Sequence, residues 1–190
     1  MLFRSLLDGL RRLEYRGYDS AGVATLAEGK ILTRKRTGRI ANLAALLKDS
    51  PAAGTLGISH TRWATHGGVT DENAHPHLDQ SGRLALCHNG VIENYATLRE
   101  QLVREGHTFK GQTDTEVLAH LVGKHYDSLG GAHGKARLVE ALRAALKQVV
   151  GTYGIVLMHA DVPDAIIGAR RGSPDRKSTR LNSSHANISY

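Results

Sequence analysis

The sequence predicts an α+β fold, with antiparallel sheets that carry helices on their outer sides. Two observations lead there. Apolar runs of strand length come in pairs joined by short polar turns, at 23–26 with 31–34 and at 153–158 with 165–169. Segments whose apolar residues recur at helical spacing also come in pairs, near 95–103 with 113–122, then 138–149. No internal repeat is present, and 190 residues suit one domain with a real core.

The elements follow in order. Phe3, Leu6, Leu7, Leu10 and Leu13 share one helical face, and Gly17 is placed to end that helix. Strands 23–26 and 31–34 meet at a turn, Glu28-Gly29. Ile40, Leu43, Leu46 and Leu47 mark a short helix that Ser50-Pro51 stops. A strand begins at Leu56, and 67–82 reads as a long polar loop before a strand at 84–88. Tyr95, Leu98, Leu102 and Val103 give a helix ending at Gly106, then Thr108-Phe109 reads as a brief strand. Thr113 and Glu116 have capping-box spacing, so a helix begins there and turns Val117, Leu118, Leu121 and Val122 inward. After a glycine-rich loop at 130–134 comes an amphipathic helix, and the last hairpin turns at Pro163-Asp164.

Composition excludes some classes. The apolar fraction of 41% and charged fraction of 23% are those of an ordinary globular protein. No apolar run approaches the roughly 20 residues that span a bilayer. The first residues are too soon charged for a signal peptide. One cysteine forbids an internal disulfide and fits a reducing cytoplasm. The net charge of +7 invites a nucleic-acid reading. However, the basic residues are scattered, and the cluster Arg34-Lys35-Arg36 has no interleaved aromatic. It reads as a solvated strand edge, so neither nucleic acid nor membrane is expected as a partner.

The densest chemistry lies in His60-Thr61-Arg62-Trp63-Ala64-Thr65-His66-Gly67, at the end of an apolar strand. Polar groups at a strand end often line a site, and an arginine fork suits a carboxylate. The same residues also suit a surface loop in which Trp63 packs and Arg62 is solvated. Asn73-Ala74-His75-Pro76-His77 and Cys87-His88-Asn89-Gly90 add further polar groups. Asn89-Gly90 by itself is also a favoured turn, and Asp114 could simply cap a helix.

With Arg16-Gly17-Tyr18-Asp19-Ser20-Ala21-Gly22 and Thr113-Asp114-Thr115-Glu116, these motifs form a set. The chain resembles the glutaminase half of the glutamine–fructose-6-phosphate aminotransferase family, class II glutamine amidotransferases with an N-terminal nucleophile. The resemblance runs from about Leu6 to Pro174. It implies a four-layer α/β/β/α sandwich of the N-terminal-nucleophile hydrolase type and a partial glutaminase domain over residues 1–174. It also implies a homodimeric parent enzyme, glutamine and fructose 6-phosphate as substrates, and no cofactor or metal. Carried over position by position, Asn89 and Gly90 match the oxyanion pair. Arg62 matches the residue that grips the glutamine carboxylate, and Asp114 the one that pairs with its ammonium. Trp63, Thr65 and His66 match pocket residues, and His75 matches a histidine of the loop that closes over glutamine.

Two departures stand out. The family begins with Cys-Gly-Ile-Val-Gly, whose cysteine is the nucleophile, and no such strand occurs here. The fold is therefore expected to lack its first strand, and this chain is expected to be inactive alone. Cys87, inside an apolar strand, is expected to be inert. One codon choice for 175–185 also spells a sequence resembling a common sequencing-library adapter. Residues 175–190 are accordingly expected to be non-native or a disordered tail. Two other readings stay open. One is a metal-dependent hydrolase using His60, His66, His75, His77, His88 and Cys87. The other is a module that binds glutamine without turning it over.

Overall fold

The structure, a computed structural model, describes residues 2–64, 66–172 and 187–189. Thr65 and most of the expected tail lie outside the described residues. Helix α1 (Leu2–Leu13) buries Phe3, Leu7 and Leu10, continues into a 3₁₀ turn over Glu14–Arg16, and leaves Leu13 exposed. Strands β1 (Ser20–Ala27) and β2 (Lys30–Thr37) form a tight hairpin. Both turn residues, Glu28 and Gly29, have positive φ (51° and 71°), the type I′ geometry that matches strand twist. Helix α2 (Ile40–Asp49) precedes β3 (Leu56–Arg62), which pairs with β1. The first sheet is thus β2-β1-β3.

The second sheet has the order β4-β5-β6-β7-β8, all antiparallel. Its strands are β4 (His77–Leu78), β5 (Leu84–Ile92), β6 (Gly151–His159), β7 (Val162–Arg171) and β8 (Asn187–Ser189). Helices α3 (Tyr95–Arg104), α4 (Asp114–Ser128) and α5 (Lys135–Leu146) follow β5 in the chain.

Strand alternation sorts the core into three clusters, and these define four layers. Ala21 and Val23 of β1 pack outward on Leu7, Leu10, Ile40, Leu43 and Leu47 of α1 and α2. Ala24 and Ile58 point the other way and meet Ala85, Cys87 and Met158, so the two sheets stack face to face. Leu84, Leu86 and Ile92 face outward from the second sheet onto α3, α4 and α5. The α/β/β/α order expected from the resemblance is therefore present.

Four local expectations are corrected. The segment 67–82 is not loop throughout, because His77 and Leu78 pair with Leu86 and Ala85 as β4. Thr108-Phe109 is not a strand. The Phe109 ring stacks instead on His120 at 4.4 Å and lies under the Arg99 guanidinium. The last hairpin turns at Ala160-Asp161, and Pro163-Asp164 lie within β7 where the β6–β7 register is irregular. A ladder that is already broken there tolerates a residue without an N–H. Lys35 is only half-exposed. It pairs with Gly22 on the inner face, and its Nζ donates to the carbonyls of Glu72 (3.0 Å) and Pro76 (3.3 Å). Arg36, one residue on, does face solvent and pairs with Asp71. Among the described residues, no helix is long and apolar enough to cross a membrane.

Candidate active site

The space between the sheets is apolar along Ile58 and Cys87 and becomes polar one step further on. On β3 the inner-face series Ile58, His60, Arg62 runs toward the rim. On β5 the series Ala85, Cys87, Asn89 runs to the same rim, where His60 Nε2 and Asn89 Oδ1 lie 2.8 Å apart. The site is this opening.

Arg62 is 4% exposed. Its Nη2 donates to the carbonyls of His66 (2.5 Å) and Gly67 (3.3 Å), and its Nη1 to that of Gly68 (3.2 Å). Burial pulls the guanidinium below its usual value, while Asp19 and Asp114 oppose the shift. A second link ties the same strand end to β1, since Ala64 N–H donates to Asp19 Oδ2 and Asp19 N–H to the Arg62 carbonyl. Gly17 lets this pass close by, as a Cβ there would stand 2.8 Å from the Arg62 carbonyl carbon.

Asp114 opens α4. Thr113 caps the helix by accepting the Glu116 N–H at 3.1 Å, as the capping-box spacing predicts. The return half of the box is not made, because the Glu116 carboxylate accepts the N–H groups of Lys110 and Gly111. Asp114 is buried, accepts the Ile92 N–H at 3.0 Å and lies 3.8 Å from His88 Nδ1. A carboxylate has about four lone-pair positions, so room remains for an ammonium. Burial holds His88 below its usual pKa against the pull of Asp114.

Gly90 follows Asn89 with φ of +134°, and a side chain there would overlap the Thr152 carbonyl. His66 is half-buried, edge-on to Tyr95 at 5.2 Å. Trp63 is 62% exposed and packs edge-on against Tyr18, so it is no core residue. His75 is buried inside the rim, between His60 (4.4 Å) and His77 (5.0 Å), and burial lowers its pKa well below the usual value. Thr65, the remaining candidate, lies outside the described residues.

Cys87 is buried and free, as its place in an apolar strand predicts, and burial pushes its thiol far above the usual range. Among the described residues, no three His, Cys, Asp or Glu side chains are grouped to hold a metal ion. The histidine-rich hydrolase reading therefore has no donor set here.

The family resemblance gave no role to His60, Asp19, His88 or Tyr95, and His60 and His88 entered only as candidate metal ligands. His60 was readable in principle, since it stands two residues before Arg62 and a strand places i and i+2 on one face. Tyr95 carried no such signal.

Comparison with known proteins settles the family. Residues 60–171 match the family described as glutamine amidotransferase domain. The chain belongs to that family. It is 52% identical over 170 residues to glutamine–fructose-6-phosphate aminotransferase (isomerizing) of Streptomyces coelicolor, covering 89% of this chain and 27% of that protein. The enzyme of the same name from Thermus thermophilus is 52% identical over 169 residues, 26% of its length. The chain thus spans about a quarter of these curated relatives. Among solved structures, a glutamine phosphoribosylpyrophosphate amidotransferase from B. subtilis, complexed with ADP and GMP, superposes with a TM-score of 0.69. It shares 30% identity, over 87% of this chain and 34% of the other. A structure described as the allosteric regulatory enzyme of purine biosynthesis gives 0.71 at 31% identity. The amidotransferase domain thus has the α+β sandwich of the N-terminal-nucleophile type.

Proposed function

We propose that the domain binds glutamine and frees its amide nitrogen, as the glutaminase part of a longer enzyme. That enzyme would pass the nitrogen to fructose 6-phosphate, giving glucosamine 6-phosphate and glutamate. The observation that carries the reading is the convergence at one rim of a buried arginine, a buried aspartate and the Asn89-Gly90 pair. Glutamine presents opposite charges at its α-carbon and a neutral amide at its far end. Arg62 meets the carboxylate and Asp114 the ammonium. The Asn89 side-chain amide and the Gly90 N–H would donate to the oxyanion that forms when the amide carbon is attacked. Trp63, His66 and His75 would line the surrounding pocket.

Cys87 does not supply the attacking thiolate, because burial keeps it protonated. The resemblance points to an N-terminal cysteine whose own α-amine acts as base. For the binding roles, the measurement is glutamine KM in an active enzyme carrying this domain. Arg62→Ala and Asp114→Asn should each raise it strongly, by roughly 2–5 kcal/mol of lost binding. An unchanged KM in either variant removes that residue from the site.

A further inference from the structure

The geometry points to His60 as a positioning residue that fixes which way round the Asn89 side-chain amide lies. The inference rests on the proposed role of Asn89 as an oxyanion donor and adds the group that makes the role possible. A side-chain amide has an oxygen and an NH₂ of nearly equal size, and only its hydrogen bonds choose between the two orientations. An oxyanion needs the NH₂. With the oxygen turned outward, Asn89 would repel the charge it is meant to stabilise.

His60 Nε2 stands 2.8 Å from Asn89 Oδ1. Two arrangements satisfy that contact. In one, Nε2–H donates to Oδ1, Nδ1 keeps its lone pair, and the Asn89 NH₂ is left for substrate. In the other, the amide is reversed, its NH₂ donates to a bare Nε2, and the proton sits on Nδ1. His60 Nδ1 is buried and has no hydrogen-bond partner among the described residues. The second arrangement therefore buries an N–H without an acceptor, a rare and costly defect. The first leaves only a bare ring lone pair there. The missing partner at Nδ1 thus sets the tautomer, and the tautomer sets the amide.

The ring is also held in place. His75 packs against it with centroids 4.4 Å apart. His75 can come that close because residue 22 is glycine, where a side chain would overlap the His75 carbonyl. Lys35 ties the same loop down through the carbonyls of Glu72 and Pro76. Burial keeps the His60 imidazole neutral, against the pull of Asn89 and of Asp19.

The test is a double-mutant cycle for glutamine hydrolysis in an active enzyme carrying this domain. His60→Leu removes the donor and should lower kcat roughly 10- to 100-fold with little change in KM. His60→Gln, whose side-chain NH₂ can again donate to Oδ1, should recover most of that loss. In an Asn89→Ala background, His60→Leu should add nothing, because the group it positions is gone. Should His60→Leu fail to fold, His60→Asn serves instead, being polar but too short to reach Asn89. Unchanged kcat in the folded variant, failure of glutamine to rescue, or an equal loss in the Asn89→Ala background each overturns the proposal. The Asn89→Ala single variant separates the two layers of argument. If its own kcat is normal, the oxyanion role itself is wrong, and the positioning role falls with it.

Discussion

In the proposed reaction Arg62 and Asp114 would differ from Asn89 in when they act, and kinetics can separate them. The two charged side chains would hold parts of glutamine that do not change during the reaction, so they would contribute to binding. Asn89 would face an oxygen whose charge grows only in the transition state. Asn89→Ala should therefore lower kcat by about 10²–10³ while KM moves much less. A KM effect as large as the kcat effect would make Asn89 a binding residue. Cys87→Ala, by contrast, removes a buried thiol from the inter-sheet cluster and should leave glutamine hydrolysis nearly intact. Arg62, Asp114 and the Asn89-Gly90 pair were reached only through the family resemblance, because spacing alone equally allows a solvated loop, a helix cap and a plain turn. The role of His60 was legible in neither. It depends on a contact across 29 residues and on an atom with no partner, and neither leaves a mark in spacing.

At the scale of elements, α4 links stability to the site. Thr113 caps the helix and also lies 3.0 Å from His77 Nε2, while the next residue holds the Ile92 N–H. Thr113→Ala should cost about 1 kcal/mol from the lost cap. It should also raise glutamine KM, because Asp114 sits in the first turn that the cap fixes. A melting curve and a KM on the same variant check both; loss of stability with unchanged KM would show that the cap does not reach Asp114. Among the described residues, the elements that were legible are those with clear apolar patterning, namely helices α1 to α5 and strands β1, β2, β3, β5, β6 and β7. Thr108-Phe109 misled because an apolar residue on a connecting segment served ring packing on His120 rather than a ladder. Strand β4 was hidden because two residues are too few for a pattern, and its pairing with Leu86 and Ala85 is a long-range event. The layer count was not legible from periodicity either. Alternation along β1 shows that both faces are apolar, but not that a second sheet covers one of them.

For the whole molecule, packing in the four layers lowers the pKa of several imidazoles, and this fixes how stability responds to pH. His60, His75, His77, His88 and His159 are each held below the usual pKa by burial, and His120 is lowered to about 4. In the unfolded chain all of them titrate near 6.5. The folded state therefore binds fewer protons than the unfolded state in the window below 6.5. Stability is fully present above that value and is lost as pH falls toward the folded values, at up to about 1.4 kcal/mol per pH unit for each such histidine. Lys35 acts in a different window. Burial outweighs Glu116 and Glu72 and lowers its ammonium to about 8, from 10.5. Between about 8 and 10.5 the unfolded chain again holds the extra proton, so this residue's cost is relieved as pH rises. The expected urea-denaturation profile of the domain is a steep loss between pH 6.5 and 4. The wild type should also gain on Lys35→Met from pH 8 to 10. His120→Gln should flatten the acid limb by about one proton over its window. Equal stability at pH 5 and pH 7 would mean that these imidazoles are reached by water in the folded state. The tight packing between the sheets that buries His75 and His77 would then be wrong.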